Sequence, residues 1–163
     1  MGVIRFCREC RPDDEVVLQA AARTVGTAVV IRPLANEDDR DALAALADAC
    51  RNAAAGASFK TAGLVGELAS REGREIVAWL AWLERADPPG PAGFVTLSLT
   101  RAGWSIPWLL VHPAARRRGV GRRLVAHALE HARSRGAAGV SAESLASWTA
   151  AAAFWESVGF GRV

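Results

Sequence analysis

Trp104-Ser-Ile-Pro-Trp-Leu-Leu-Val-His-Pro-Ala-Ala-Arg-Arg-Arg-Gly-Val-Gly-Arg-Arg-Leu124 is the stretch whose reading decides the fold. Its apolar run from Trp108 to Val111 has the composition of a buried strand, and Pro113 ends it. An arginine-rich turn with Gly119 and Gly121 follows and leads into an amphipathic helix. A strand, a cationic glycine turn and a helix start, in that order, make a phosphate-binding arrangement. The first N–H groups of a helix lack a carbonyl partner within it, and the aligned peptide dipoles place partial positive charge there. Glycines let a ligand approach the backbone closely. Arg116, Arg117, Arg118, Arg122 and Arg123 add full charges, and each charge-assisted bond is worth roughly 1.5–3 kcal/mol net.

Arg116-x-x-Gly119-x-Gly121, placed after a strand ending Leu110-Val111-x-Pro113, resembles the acyl-CoA-binding motif of the GNAT superfamily of N-acetyltransferases. Phe154-Trp155-Glu156-Ser157-Val158-Gly159-Phe160 resembles that family's second motif, and the interval between the two fits one helix and one strand. The resemblance covers residues 27 to 160 in element order. It implies an α/β domain whose mixed, mainly antiparallel central sheet is flanked by helices. It also implies an enzyme moving an acetyl group from acetyl-CoA to a primary amine of a small molecule or protein. Carried over residue by residue, a backbone N–H near Leu110 or Val111 would bond the thioester carbonyl. The loop of Arg116, Arg117, Arg118, Gly119, Val120, Gly121 and Arg122 would hold the pyrophosphate, with Phe154 beside it. No metal is implied.

Two departures accompany the resemblance. Many members protonate the leaving thiolate with a tyrosine after the phenylalanine of the second motif; here Trp155 stands in that place, and the chain contains no tyrosine. An indole N–H is a donor that does not ionise near neutrality. A thiol has a pKa of about 8.5, so its thiolate is a tolerable leaving group that water can protonate. The family's common asparagine, six residues before Phe154, is replaced by Trp148. The candidate bases for the amine are Glu84, Glu143 and His112. The alternative from another class is a CoA-binding or regulatory module without catalysis. The second departure is that members usually continue past the Gly-Phe with one or two strands, whereas this sequence stops at Val163. The final strand or strands are therefore expected to be missing. An uncovered sheet edge invites pairing, so either the N-terminal extension or a second copy in a homodimer is expected to cover it.

Composition bounds these readings. With 163 residues and 51% hydrophobic composition, the chain can bury one core. No apolar run is long enough to span a bilayer, and residues 1 to 11 lack the apolar centre of a signal peptide; a cytoplasmic location without membrane partner is expected. The net charge is +3, less than the five arginines between 116 and 123 contribute, so the surplus is local. That suits a compact polyanion better than a nucleic-acid track. Cys7 and Cys10 form a C-x-x-C without a second pair at zinc-finger spacing, and free thiols are the plainer reading. His127-Ala-Leu-Glu130-His131 matches the H-x-x-E-H zinc pattern, but its helix already follows the phosphate loop; two exposed histidines on a solvated face are expected.

Residues 1–25 read as an extension of unclear role, with a strand at Val3 to Phe6 and a helix at Val16 to Arg23; residues 26–163 read as the domain. Strands are expected at Thr27 to Leu34, Glu75 to Glu84, Gly93 to Arg101 and Gly139 to Leu145, the middle two forming a hairpin. Helices are expected after Asn36, over Phe59 to Ser70, after Gly121 and after Ser147. Val120, Leu124, Val125, Ala128 and Ala132 recur at helical spacing. Thr96, Ser98 and Thr100 alternate with Val95, Leu97 and Leu99, which predicts one polar face on that strand. The tryptophans read as core more often than site; Trp79, Trp82 and Trp108 are assigned to the core, and Trp104, at a strand start, carries a pocket wall as its lesser alternative.

Overall fold

The computed structural model describes residues 2–13, 28–53, 75–84 and 90–163. The expected helices at Val16 to Arg23 and Phe59 to Ser70 lie outside the described residues, as do residues 85–89 between the two strands of the expected hairpin. Eight strands are described: β1 (Val3–Glu9), β2 (Val29–Pro33), β3 (Glu75–Leu83), β4 (Pro91–Thr100), β5 (Gly103–Ile106), β6 (Leu109–Val111), β7 (Gly139–Leu145) and β8 (Gly161–Arg162). The helices are α1 (Glu37–Ala53), α2 (Val120–Ser134) and α3 (Thr149–Ser157). The strands form one sheet in the order β2-β3-β4-β5-β7-β1-β8, with β6 paired to β4. All described pairings are antiparallel except β5 with β7. The mixed, mainly antiparallel sheet with flanking helices is the architecture the sequence implies.

Side-chain alternation along β4 divides the core between the two faces. Val95 and Leu97 point to the side of α2 and α3, where they join Phe6, Trp79, Trp104, Leu124, Val125, Trp155 and Phe160. Phe94 points the other way, with Leu80, onto Leu43, Leu46, Ala47 and Cys50 of α1. Trp104 is a core residue, not a pocket wall, because β5 carries it onto the α2 face. The polar alternation on β4 is present, yet Thr96 and Ser98 are buried.

Helix ends follow local chemistry. The Asn36 side chain accepts from the Asp39 N–H at 2.9 Å and starts α1. The buried Asp39 carboxylate accepts from the Ala35 N–H and pairs with Arg32, both at 2.9 Å, so its charge is compensated. Ser147 does not cap α3: the N-cap is Trp148, with no side-chain cap bond. Gly159, at φ 87°, ends that helix, and the Phe160 N–H returns to the Trp155 carbonyl at 3.0 Å.

β1 extends to Glu9 and lies between β7 and β8, pairing Arg5 with Glu143 and Phe6 with Ala142. The N-terminal segment thus covers the edge of β7. Phe6 is fully buried among α2-side residues, and Arg8 donates to the Val158 carbonyl at the C-terminus of α3. Phe6→Ala is expected to cost about 3–5 kcal/mol of unfolding free energy. Urea unfolding measures this, and a loss near zero would mean that β1 does not contribute to the folded sheet.

Candidate functional site

An extra residue in the strand after β5 creates the site. Ser105 lies opposite Ser98 and Leu109 opposite Val95. Three residues, Ile106, Pro107 and Trp108, therefore face only Thr96 and Leu97. That is a β-bulge, and Pro107 suits it because proline has no N–H to give a ladder. The Trp108 N–H goes to the Thr96 hydroxyl at 3.0 Å, while the Thr96 N–H returns to the Trp108 carbonyl. Before the bulge, β5 pairs with β7 as far as Ile106 opposite Ala142. After it, β6 pairs only with β4, and Glu143 to Leu145 pair with β1. The sheet splits between β6 and the end of β7.

Backbone direction within β6 follows from bonds on either side. The Thr96 N–H to Trp108 carbonyl and the His112 N–H to Ala92 carbonyl (2.8 Å) are two steps apart from the Phe94–Leu110 pair. Hydrogen-bonded pairs alternate in an antiparallel ladder, so the Leu110 N–H and C=O face β4, and those of Leu109 and Val111 face the split. At its mouth the Val111 carbonyl accepts from the Cys50 thiol and from Arg116 Nε, each at 3.4 Å.

The loop beyond β6 begins with a single 3₁₀ turn, Pro113–Ala115, where His112 Nδ1 accepts from the Ala114 N–H at 3.1 Å. Arg116 is extended, Arg117 adopts φ 66° and Gly119 φ 77°. Gly119 is the N-cap of α2 and makes no side-chain cap bond. The Arg123 N–H is the first to meet an intrahelical carbonyl, that of Gly119, at 3.1 Å. The N–H groups of Val120, Gly121 and Arg122 therefore point out of the helix start. A Cβ on Gly121 would stand 3.1 Å from the Phe154 ring and 3.4 Å from Val111 Cγ2. Glycine there lets β6, α2 and α3 meet. Arg117 and Arg118 are exposed beside these N–H groups, whereas Arg122 donates to the Ser157 carbonyl at 3.0 Å.

The remaining sequence candidates lie as follows. Glu143 is the first residue of β7 past its last β5 partner, exposed on the face opposite α2, with Arg5 Nε 2.9 Å from its carboxylate. Glu84 is exposed in the turn after β3, its N–H on the Ala28 carbonyl, so β4 and β6 separate it from the split. Phe154 is half-buried against Gly121, while Trp155 is buried with its ring edge-on to Phe160 at 5.0 Å. His127 is exposed, but His131 is half-buried, and both rings stand edge-on to Trp79 rather than on a purely solvated face. Cys7 and Cys10 lie three residues apart on extended backbone, about 10 Å, beyond disulfide reach. The sequence reading missed β5 as a separate strand, the bulge, and Cys50 as a neighbour of the split; Pro107 between two apolar runs is the signal that locates the first two.

Residues 48–160 match the model of the acetyltransferase (GNAT) family, and the chain belongs to that family. Comparison with curated proteins gives no match. Among solved structures, a conserved protein of unknown function from Staphylococcus epidermidis is 15% identical with a TM-score of 0.65, covering 99% of this chain and 57% of its own. The tandem GNAT protein of the clavulanic acid biosynthesis pathway is 15% identical (TM-score 0.63), with 98% of this chain and 50% of that one covered. The ribosomal-protein-S18-alanine N-acetyltransferase from Escherichia coli is 20% identical (TM-score 0.65), with 83% and 79% covered. The chain thus spans about half the length of the first two. These structures share its fold. No helix among the described residues is long and apolar enough to cross a membrane.

Burial pushes the Cys50 thiol above its ordinary pKa, and Arg116 partly offsets this. The unfolded thiol ionises near pH 8.5, the folded one at higher pH. Stability is therefore lost as pH rises from the unfolded value toward the folded one. The wild type is expected to lose more stability than Cys50→Ser between about pH 7 and about pH 10. Urea midpoints at the two pH values measure the difference, and parallel curves would contradict it.

Proposed function

We propose that the chain is an N-acetyltransferase that moves the acetyl group of acetyl-CoA to a primary amine. The observation that carries this is the split sheet, in which the Val111 N–H faces a gap leading directly to the open N-terminus of α2. The diphosphate fits the N–H groups of Val120, Gly121 and Arg122, the dipole of α2, and the charges of Arg117 and Arg118. The acyl arm fits the gap, where two strands have parted and no side-chain layer is needed to reach backbone donors. The N–H of Val111 rather than that of Leu110 is free of β4 and bonds the thioester carbonyl, stabilising negative charge as it develops on that oxygen. Phe154 packs under Gly121 and keeps the helix start against β6.

Glu143 is the base in this reading, because it stands where β5 and β7 part; Glu84 is too far across the sheet, and His112 Nδ1 is engaged by Ala114. It takes a proton from the acceptor ammonium, and the neutral amine attacks. Trp155 takes no part in proton transfer, being packed in the core, so solvent protonates the thiolate. The same tryptophan favours a second reading, a CoA-binding module without turnover. A cytoplasmic location follows from the co-substrate in either case.

Calorimetric titration is expected to show acetyl-CoA binding to the intact protein and none to Arg118→Ala/Gly121→Asp, with thermal unfolding confirming that the variant is folded. Thiol release with an amine panel then separates enzyme from module. Glu143→Gln is expected to lower kcat by about 10²-fold or more with acetyl-CoA affinity unchanged. An unchanged kcat would remove Glu143 from the mechanism.

A further inference from the structure

The cofactor side of the split is the α2 face of the sheet, where the helix start and Phe154 lie, so the acceptor reaches the thioester from the opposite face. On that face Ser98, Ser105 and Ser141 are direct neighbours across β4, β5 and β7. Ser98 is 2% exposed, and its hydroxyl has no hydrogen-bond partner. Ser141 donates to the Trp104 carbonyl at 3.3 Å, which leaves its lone pairs to accept. One step along β7 from this row stands Glu143, and Arg5 of β1 is its direct cross-strand neighbour, side chains 75% and 57% exposed. The face of the split thus carries a row of neutral hydroxyls ending in one anion beside one cation.

We infer that the acceptor is a small zwitterion with its amine next to a carboxylate, of the α-amino acid type, and that Arg5 is the residue that selects it. This rests on the acetyltransferase reading above. An exposed anion and cation 2.9 Å apart form a two-charge surface whose complement is a ligand with the charges reversed. The acceptor's ammonium meets Glu143 and its carboxylate meets Arg5, whose planar fork matches a carboxylate with two donors. The half-buried Ser105 and Ser141 take a hydroxyl or amide on the remainder of the ligand, with Ser98 buried beside them. An acceptor with several cationic groups would set one of them against Arg5. The step balances: the ammonium gives one proton to Glu143, the nitrogen forms the C–N bond as the C–S bond breaks, and its second proton leaves through solvent to the thiolate, giving an amide and a thiol.

The test uses the intact chain, acetyl-CoA and thiol release, with each of a set of α-amino acids paired with its carboxamide, which keeps the amine and lacks the carboxylate. The wild type is expected to favour acids over amides by roughly tenfold or more in kcat/KM. Arg5→Ala is expected to erase that preference by raising KM for the acids well beyond any change it causes for the amides, with calorimetric acetyl-CoA affinity unchanged. Arg5→Lys, keeping the charge without the fork, restores part of it. Equal turnover of acids and amides by the wild type, or an equal effect of Arg5→Ala on both, overturns the inference. Acetyl-CoA binding without turnover of any amino acid also overturns it and leaves the cofactor site standing; absence of acetyl-CoA binding overturns the reading beneath it.

Discussion

One surplus residue between Ser105 and Leu109 is the constraint on which the site depends. With the bulge, β5 lies beside β7 and β6 does not, although both belong to one run of chain alongside β4. Strands of a continuous sheet sit about 4.8 Å apart with every inward N–H and C=O paired, which leaves no room for a ligand between them. A bulge bends its strand and increases the local twist. Here that distortion falls where the strand must leave β7 and turn toward the glycine loop. Pro107 contributes by withholding a donor from the ladder at the point where the ladder ends.

Parting two strands exposes backbone groups that must find partners elsewhere, since an orphaned buried peptide group costs about 1–3 kcal/mol. The described chain meets this in part at the β6 side of the split. On the β6 side, the Val111 carbonyl is taken by Cys50 from α1 and by Arg116 from the loop, so two elements hold the last residue of the strand. On the other edge of β7, away from the split, β1 pairs with the strand along its whole length, from Val3 opposite Leu145 to Glu9 opposite Gly139. The N-terminal segment therefore does more than cover an edge: it keeps β7 straight while its other neighbour departs, and Arg8 fastens it to the end of α3.

Elements with strong local chemistry were legible in the sequence. β7 is found at the expected residues, the Asn36 cap starts α1, and the apolar stripe of α2 from Val120 to Ala132 is buried. The glycine loop was legible from its residue pattern between strand and helix; the structure supplies the reasons, a positive φ at Gly119 and, at Gly121, the Phe154 ring packed against the helix. What was not legible depends on pairing at long range. Arg5 and Glu143 are 138 residues apart, and only the register of β1 against β7 makes them neighbours. Cys50 reads from the sequence as one more apolar residue on a helix stripe; its contact with Val111 depends on where α1 crosses the sheet. The bulge is a difference of one residue between two strands; Pro107 marks where it falls, but the count needs the pairing with β4.

The arginines of the loop illustrate how a run of like charge divides into different tasks once folded. Arg122 bonds the Ser157 carbonyl and Arg8 the Val158 carbonyl, so two guanidinium groups meet the negative end of α3. Arg116 is turned back onto the strand it follows. These bonds do not remove the charges, which still raise the potential around the start of α2, but they fix where each charge sits. Arg117 and Arg118 remain exposed at the surface of the loop. Directed backbone N–H groups then define the position of a bound anion, while mobile side-chain charges strengthen its attraction without defining its geometry. In the proposed acyl transfer, orientation comes from peptide groups held by the sheet and helix, and the arginine run supplies the field in which they act.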